Sequence, residues 1–159
     1  VLEALDAAAY VSICHLGVDA AYYKADDVVF EEGQTGDAIS FVNHGSFSYF
    51  SSGNTAHAVR EAEGQVSVGG FFSEIALWLQ WSYLGVMTSL EQSELFNVSA
   101  TSLASQLRRH PEAWIITQDF CESVARCYEA SGLRAWSDLE LAVDHADAIG
   151  GMPRKSRAQ

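Results

Sequence analysis

The chain reads as mainly β with flanking helices: an antiparallel jelly roll (a double-stranded β-helix), with one helix before it and others after. Three observations predict this. From Tyr22 to Val98, short β-rich runs are cut by turn signals every eight to twelve residues, the spacing of a sandwich or barrel. On either side, the apolar rhythm changes to a helical period. Within the β region, Gly69-Gly70-Phe71-Phe72-Ser73-Glu74 leads into the apolar run Ile75-Ala76-Leu77, which reads as a short helix set into the barrel.

Leu2, Leu5, Ala9, Ser12, Ile13 and Leu16 recur at helical spacing before Gly17, so residues 1–16 are expected to be helical within a lead-in over 1–19. Strands follow at Val28-Val29-Phe30, Ile39-Ser40-Phe41-Val42 and Phe47-Ser48-Tyr49-Phe50. Two more, His57 to Arg60 and Gln65 to Val68, flank an Ala62-Glu63-Gly64 turn. Gly33, Gly36 and Gly45 fall in tight turns where a positive φ costs little only for glycine. The barrel is thus assigned to residues 20–98, and C-terminal helices to 99–149. One helix runs from Ser99 to Leu107 and ends at the cations Arg108, Arg109 and His110, which suit a helix C-terminus. Pro111 opens a longer helix through Tyr128. Leu133 to Ile149 reads as the last helix, stopped by Gly150-Gly151, and residues 150–159 as a basic flexible tail.

Charge narrows the function. The net charge is −12, and three of the nine basic residues (Arg154, Lys155, Arg157) lie in the last six positions. Residues 1–153 therefore set six bases against all 21 acids. Such a surface repels phosphate backbones, so no nucleic-acid partner is expected. Cys14, Cys121 and Cys127 form no C-x-x-C pair, so neither a disulfide framework nor structural zinc is expected. There is no G-x-S-x-G elbow, H-E-x-x-H or P-loop. The five histidines are scattered without nucleophile or acid spacing. No catalytic residue and no metal site are expected, and the chain does not read as an enzyme.

Three ordered blocks resemble cyclic nucleotide-binding domains. Tyr22 to Ala38, containing Glu32-Gly33-Gln34-Thr35-Gly36-Asp37, is similar to that family's opening strand–turn–strand. Phe41-Val42-Asn43-His44-Gly45-Ser46-Phe47 resembles its next strand pair. The third block is the stretch 69–85, similar to the family's phosphate-binding cassette, followed by Thr88 to Phe96. The resemblance implies a pocket lined by Gly70, Phe72, Ser73, Glu74, Ile75, Ala76, Leu77, Tyr83, Leu84 and Gly85. It also implies that a glycine at position 73 would admit the ligand phosphate, that Glu74 would take the ribose hydroxyl, and that an arginine at position 83 would pair the phosphate.

This cassette departs from the family's pattern at two of those positions. Position 73 is serine and position 83 is tyrosine. A charge-assisted hydrogen bond is worth roughly 1.5–3 kcal/mol, so losing a bidentate arginine costs at least about tenfold in affinity. Ser73 is expected to cap the helix with its hydroxyl and so to consume the N–H groups a phosphate needs. Between residues 19 and 100 the bases are Lys24, on the opening strand, and Arg60, which leaves Arg60 as the one candidate for a surrogate cation, the alternative being a solvated strand-edge charge. Trp78, Leu79, Trp81, Tyr83 and Leu84 are expected to fill the pocket as an internal plug, to form a docking surface for a neighbouring segment, or to pack beneath the cassette. The resemblance implies a regulatory module of a larger polypeptide with weakened or lost cAMP or cGMP binding. The first context is the gating module of a voltage- or cyclic nucleotide-regulated cation channel, on the cytosolic face of a membrane and tetrameric through the pore domain. The alternative is a cyclic nucleotide-dependent protein kinase system.

Overall fold

A computed structural model describes residue 11 and residues 17–53, 62–131, 137–141 and 143–157. The expected helix over 1–16 (residue 11 apart), the strand His57 to Arg60, Cys14 and the surrogate cation Arg60 lie outside the described residues.

Alternation of apolar and small polar residues builds the barrel. In β5 (Ser46–Ser51), Phe47 and Tyr49 point inward while Phe50 faces out, as a two-residue period requires. The other strands are β1 (Val18–Tyr23), β2 (Val28–Phe30), β3 (Thr35–Gly36), β4 (Ala38–His44), β6 (Ala62–Ser67), β7 (Phe71–Phe72), β8 (Trp81–Ser82), β9 (Val86–Ser89) and β10 (Ser93–Ser99). They form two four-stranded sheets, ordered β1-β10-β4-β7 and β2-β9-β5-β6, with β3 and β8 as a separate pair. All pairings are antiparallel, as between Phe47 and Val66 or Phe47 and Ser89. Phe30, Val42, Phe47, Tyr49, Phe72, Met87 and Leu95 fill the space between the sheets. Burying side chains of this size contributes about 1.5–3 kcal/mol each.

The helices are α1 (Ile75–Trp78), α2 (Ala100–Leu107), α3 (Pro111–Ser131), α4 (His145–Gly151) and α5 (Arg154–Arg157). Ser99 caps α2, its side chain accepting from the Ser102 N–H at 3.0 Å. On α3, Ile116, Phe120, Val124 and Tyr128 stack at four-residue intervals along one face. That face shares a core with Ile75, Ala76, Trp81 and Leu84 of the cassette and with Val143, Ala148 and Met152. One apolar cluster therefore couples the barrel's cassette to α3 and α4.

Four expectations are corrected. Ala62, Glu63 and Gly64 lie within β6, not in a turn. Gly36 has no positive φ, unlike Gly33 and Gly45 at 81° and 82°; it is needed instead because a Cβ there would sit 3.0 Å from the Tyr83 ring. Of the last helix expected over Leu133 to Ile149, the described residues 137–141 and 143–144 are not helical. It starts at His145 and includes Gly150 and Gly151, because Asp138 and Leu139 are drawn into the barrel; residues 133–136 and 142 lie outside the described residues. The tail is not free, since α5 buries Ser156, whose hydroxyl hydrogen-bonds Asp119. Among the described residues no helix is long and apolar enough to cross a membrane.

Candidate functional site: a cassette filled by its own chain

The cassette runs from β7 through α1 to β8 and the turn before β9. At its bend Ser73 adopts the left-handed conformation, with φ of 63°, and is completely buried. This corrects its assignment as a helix cap. A capping residue needs extended backbone, and α1 starts instead from Glu74, which makes no side-chain cap. The Ser73 hydroxyl has no partner at hydrogen-bond geometry. It nevertheless lies close enough to the Tyr83 phenol to oppose the rise that burial imposes on that group's pKa. The Ser73 N–H donates to the backbone carbonyl of Asp138 at 2.7 Å.

Asp138 comes from a segment far along the chain and is only 1% exposed. Its Oδ1 accepts from Trp81 Nε1 at 2.7 Å. Its Oδ2 accepts from the Tyr49 hydroxyl and from the Leu84 N–H, both at 2.8 Å. The Gly85 N–H adds a further favourable contact. Burial raises the carboxyl's pKa above its ordinary value, and these donors partly restore it. Beside Asp138, the Tyr49 phenol is pushed strongly upward by burial and by the neighbouring carboxylate. Gly85 permits the arrangement: a Cβ there would strike the Phe50 carbonyl and approach the Tyr49 hydroxyl at 2.7 Å. The next residue, Leu139, packs on the barrel core, in the space left by the missing side chain of Gly64.

A second contact secures the same segment. Glu74 Oε1 lies 2.7 Å from His145 Nε2 and accepts from Trp78 Nε1 at 3.3 Å. The His145 ring lies parallel to that of Phe120. The acid that the resemblance assigns to a ribose is thus engaged by the first residue of α4.

The structure brings Ser73, Leu84 and Gly85 around Asp138 and sets Glu74 against His145. Tyr83 stacks on Phe30 with ring centroids 3.7 Å apart, so it fills the pocket wall. Phe72 belongs to the barrel core, and Ile75 and Ala76 to the cluster shared with α3. Leu77 packs towards α2 and α3. Gly70 shapes the turn into β7: its N–H donates to Ser67 and its carbonyl accepts from Val42. Trp78, Leu79, Trp81 and Leu84 pack beneath the cassette, and the plug is Asp138 with Leu139. An open hollow of about 540 Å³ lies between the β3–β8 pair and the ends of α1 and α2, lined by Asp37, Gln80 and Ala100 and touching the network through Trp81.

Sequence reasoning missed Asp138, Leu139, Tyr49 and His145. A short signal was present: Asp138-Leu139-Glu140-Leu141 alternates before Ala142 interrupts it, a two-residue period that a surface helix does not show. Among the described residues no group of three or more His, Cys, Asp or Glu is placed to hold a metal ion.

No protein-family model matches the sequence, and no curated protein matches it. Solved structures do resemble the fold. The N-terminal domain of a transcriptional regulator from Streptomyces coelicolor A3(2) superposes with a TM-score of 0.61 at 20% identity, over 82% of this chain and 89% of that one. The C-linker/CNBHD of zELK channels, crystallised in the presence of cAMP, gives 0.59 at 17% identity, over 76% of this chain and 58% of that one. The catabolite activator protein of Thermus thermophilus gives 0.54 at 17% identity, over 80% and 57%. The chain thus spans little more than half of the last two. The fold is that of cyclic nucleotide-binding domains, as the sequence blocks indicate.

Proposed function

We propose that this chain is a regulatory, cyclic nucleotide-binding-like module of a larger protein whose cassette is closed by its own C-terminal segment. One observation carries the reading: Asp138 occupies the cassette with its carboxylate, its carbonyl holds the Ser73 N–H, and Glu74 is held by His145. A cyclic nucleotide would have to displace that segment and then find tyrosine where an arginine would pair its phosphate. Binding of cAMP or cGMP is therefore weak or lost. Movement of the segment is the regulatory event, because α3, α4 and the cassette share a core and any shift at Asp138 reaches them together.

The first context is the gating module of a cation channel, attached to a pore domain and facing the cytosol as part of a tetramer. Its support is the likeness to the zELK C-linker/CNBHD. A second context, the sensor domain of a transcriptional regulator, is favoured by the broader superposition on the Streptomyces domain. The exposed acids Glu140, Asp144 and Asp147 argue against this stretch touching DNA itself. The kinase alternative keeps only the shared fold. Flanking sequence separates the contexts: hydrophobic spans with an arginine-rich one indicate a channel, a helix-turn-helix a regulator. The functional test is calorimetric titration of the chain with cAMP and cGMP. No saturable heat below about 1 mM nucleotide is expected, where binding is worth only about 4 kcal/mol; micromolar binding would refute the reading.

A further inference from the structure

We propose that the cassette is a receptor for carboxylate-bearing peptides, and that its ligand class is an aspartyl-leucine segment, supplied here in cis by Asp138 and Leu139. The inference rests on the reading that the C-terminal segment fills the cassette, and goes on to specify what the filled site recognises.

Three separate features of the segment are read. The first is the carboxylate. Both of its oxygens receive donors, from Trp81 on one side and from Tyr49 and the Leu84 N–H on the other. These donors are uncharged. They suit a small planar monoanion, whereas a phosphodiester spreads its charge over a larger tetrahedron and gains most from a cation. The donors are also pre-set: Trp81 is 4% exposed within the shared core, the Tyr49 ring lies in the barrel core, and Leu84 donates from the backbone. The second feature is the peptide itself, since the Ser73 N–H takes the carbonyl of the aspartate and not its side chain. The third is leucine, which enters the barrel's apolar cluster over Gly64. A free acid supplies one feature and a cyclic nucleotide none in this geometry. An acidic partner segment carrying Asp-Leu supplies all three, competing against a tethered copy whose effective concentration is in the millimolar range.

The test uses the whole chain with Asp138→Gly, which empties the carboxylate position and leaves the donors in place. Thermal midpoints at neutral pH are compared in sodium formate, acetate, phosphate and chloride at equal ionic strength, and with cAMP, for variant and parent. Formate should raise the variant's midpoint by about 5 °C or more above its value in chloride, a shift on the order of 1–2 kcal/mol for a domain of this size, while leaving the parent unmoved. Phosphate and cAMP should not. An equal response to phosphate or chloride, or an equal response of the parent, overturns the proposal. Should Asp138→Gly not fold, Asp138→Asn decides the question. The near-isosteric amide turns N–H towards N–H, so a loss of at least about tenfold in the folding equilibrium constant supports a carboxylate receptor, and an unchanged one overturns it. Micromolar nucleotide binding by the parent would refute the occluded-module reading without bearing on the formate result, so the two failures are distinguishable.

Discussion

The barrel interior around Phe47 and the cassette around Asp138 are two buried regions a few strands apart, held together by opposite means. At Phe47 aromatic rings meet at tilted or edge-on angles, with centroids near 6.0 Å from those of Tyr23 and Phe72; the attraction is non-directional and tolerates small shifts. At Asp138 the same degree of burial encloses a charge, which is tenable only while each donor keeps its line to an oxygen. The first region can repack; the second either holds its ligand or loses several bonds together. This makes the cassette suited to switching and the barrel suited to bearing it.

Mutations at each site measure that contrast. Phe47→Ala should cost the most, about 3–5 kcal/mol, by leaving a cavity in a closed core; chemical denaturation of the variant checks it. Asp138→Ala should cost less, on the order of 2–3 kcal/mol, because three buried donors lose their acceptor while the burden of a buried charge is lifted. Its signature should be loosening of residues 137–145 in hydrogen exchange with the barrel strands still protected. If the barrel strands loosen equally, the two regions are not separable. Ser73→Gly should act in the opposite direction, stabilising by about 1 kcal/mol. It relieves a left-handed φ that L-residues adopt at a cost of roughly 1–2 kcal/mol, and removes a buried hydroxyl without a bonding partner.

The smallest effect is the pH dependence. Burial holds the folded pKa of Asp138 above its ordinary value of 3.8, so over that interval the folded state binds more protons than the unfolded one. The stability this group contributes is complete below the ordinary value and is lost as the pH rises through the folded pKa. The parent should therefore lose stability relative to Asp138→Asn as the pH is raised from about 4 towards neutrality, followed by thermal unfolding of both proteins. A constant difference would show that Asp138 titrates alike in both states.

The barrel was legible because its signals are local. Alternation in Ser46–Ser51, glycine turns at Gly33 and Gly45, and the glycine pair before the cassette each act within a few residues. The altered cassette was legible in part, since Ser73 and Tyr83 stand where the resemblance implies glycine and arginine. What filled it was not. Asp138 is 89 residues from Tyr49 and 54 from Leu84, and no local period reports contacts at that range. The run from Leu133 to Ile149 is apolar enough to pass for a helix. Only its two-residue alternation at 138–141 hints that tertiary contacts outweigh helical propensity there.

The most direct test follows the indole N–H of Trp81 in a nitrogen-15 tryptophan spectrum, because that proton reports its bond to Asp138. With the parent chain the resonance should stay in place as cAMP is raised to about 1 mM, the weak limit at which binding is worth only about 4 kcal/mol, and it should move on Asp138→Gly substitution. A saturable shift of the parent resonance at micromolar cAMP would contradict a cassette closed by its own chain.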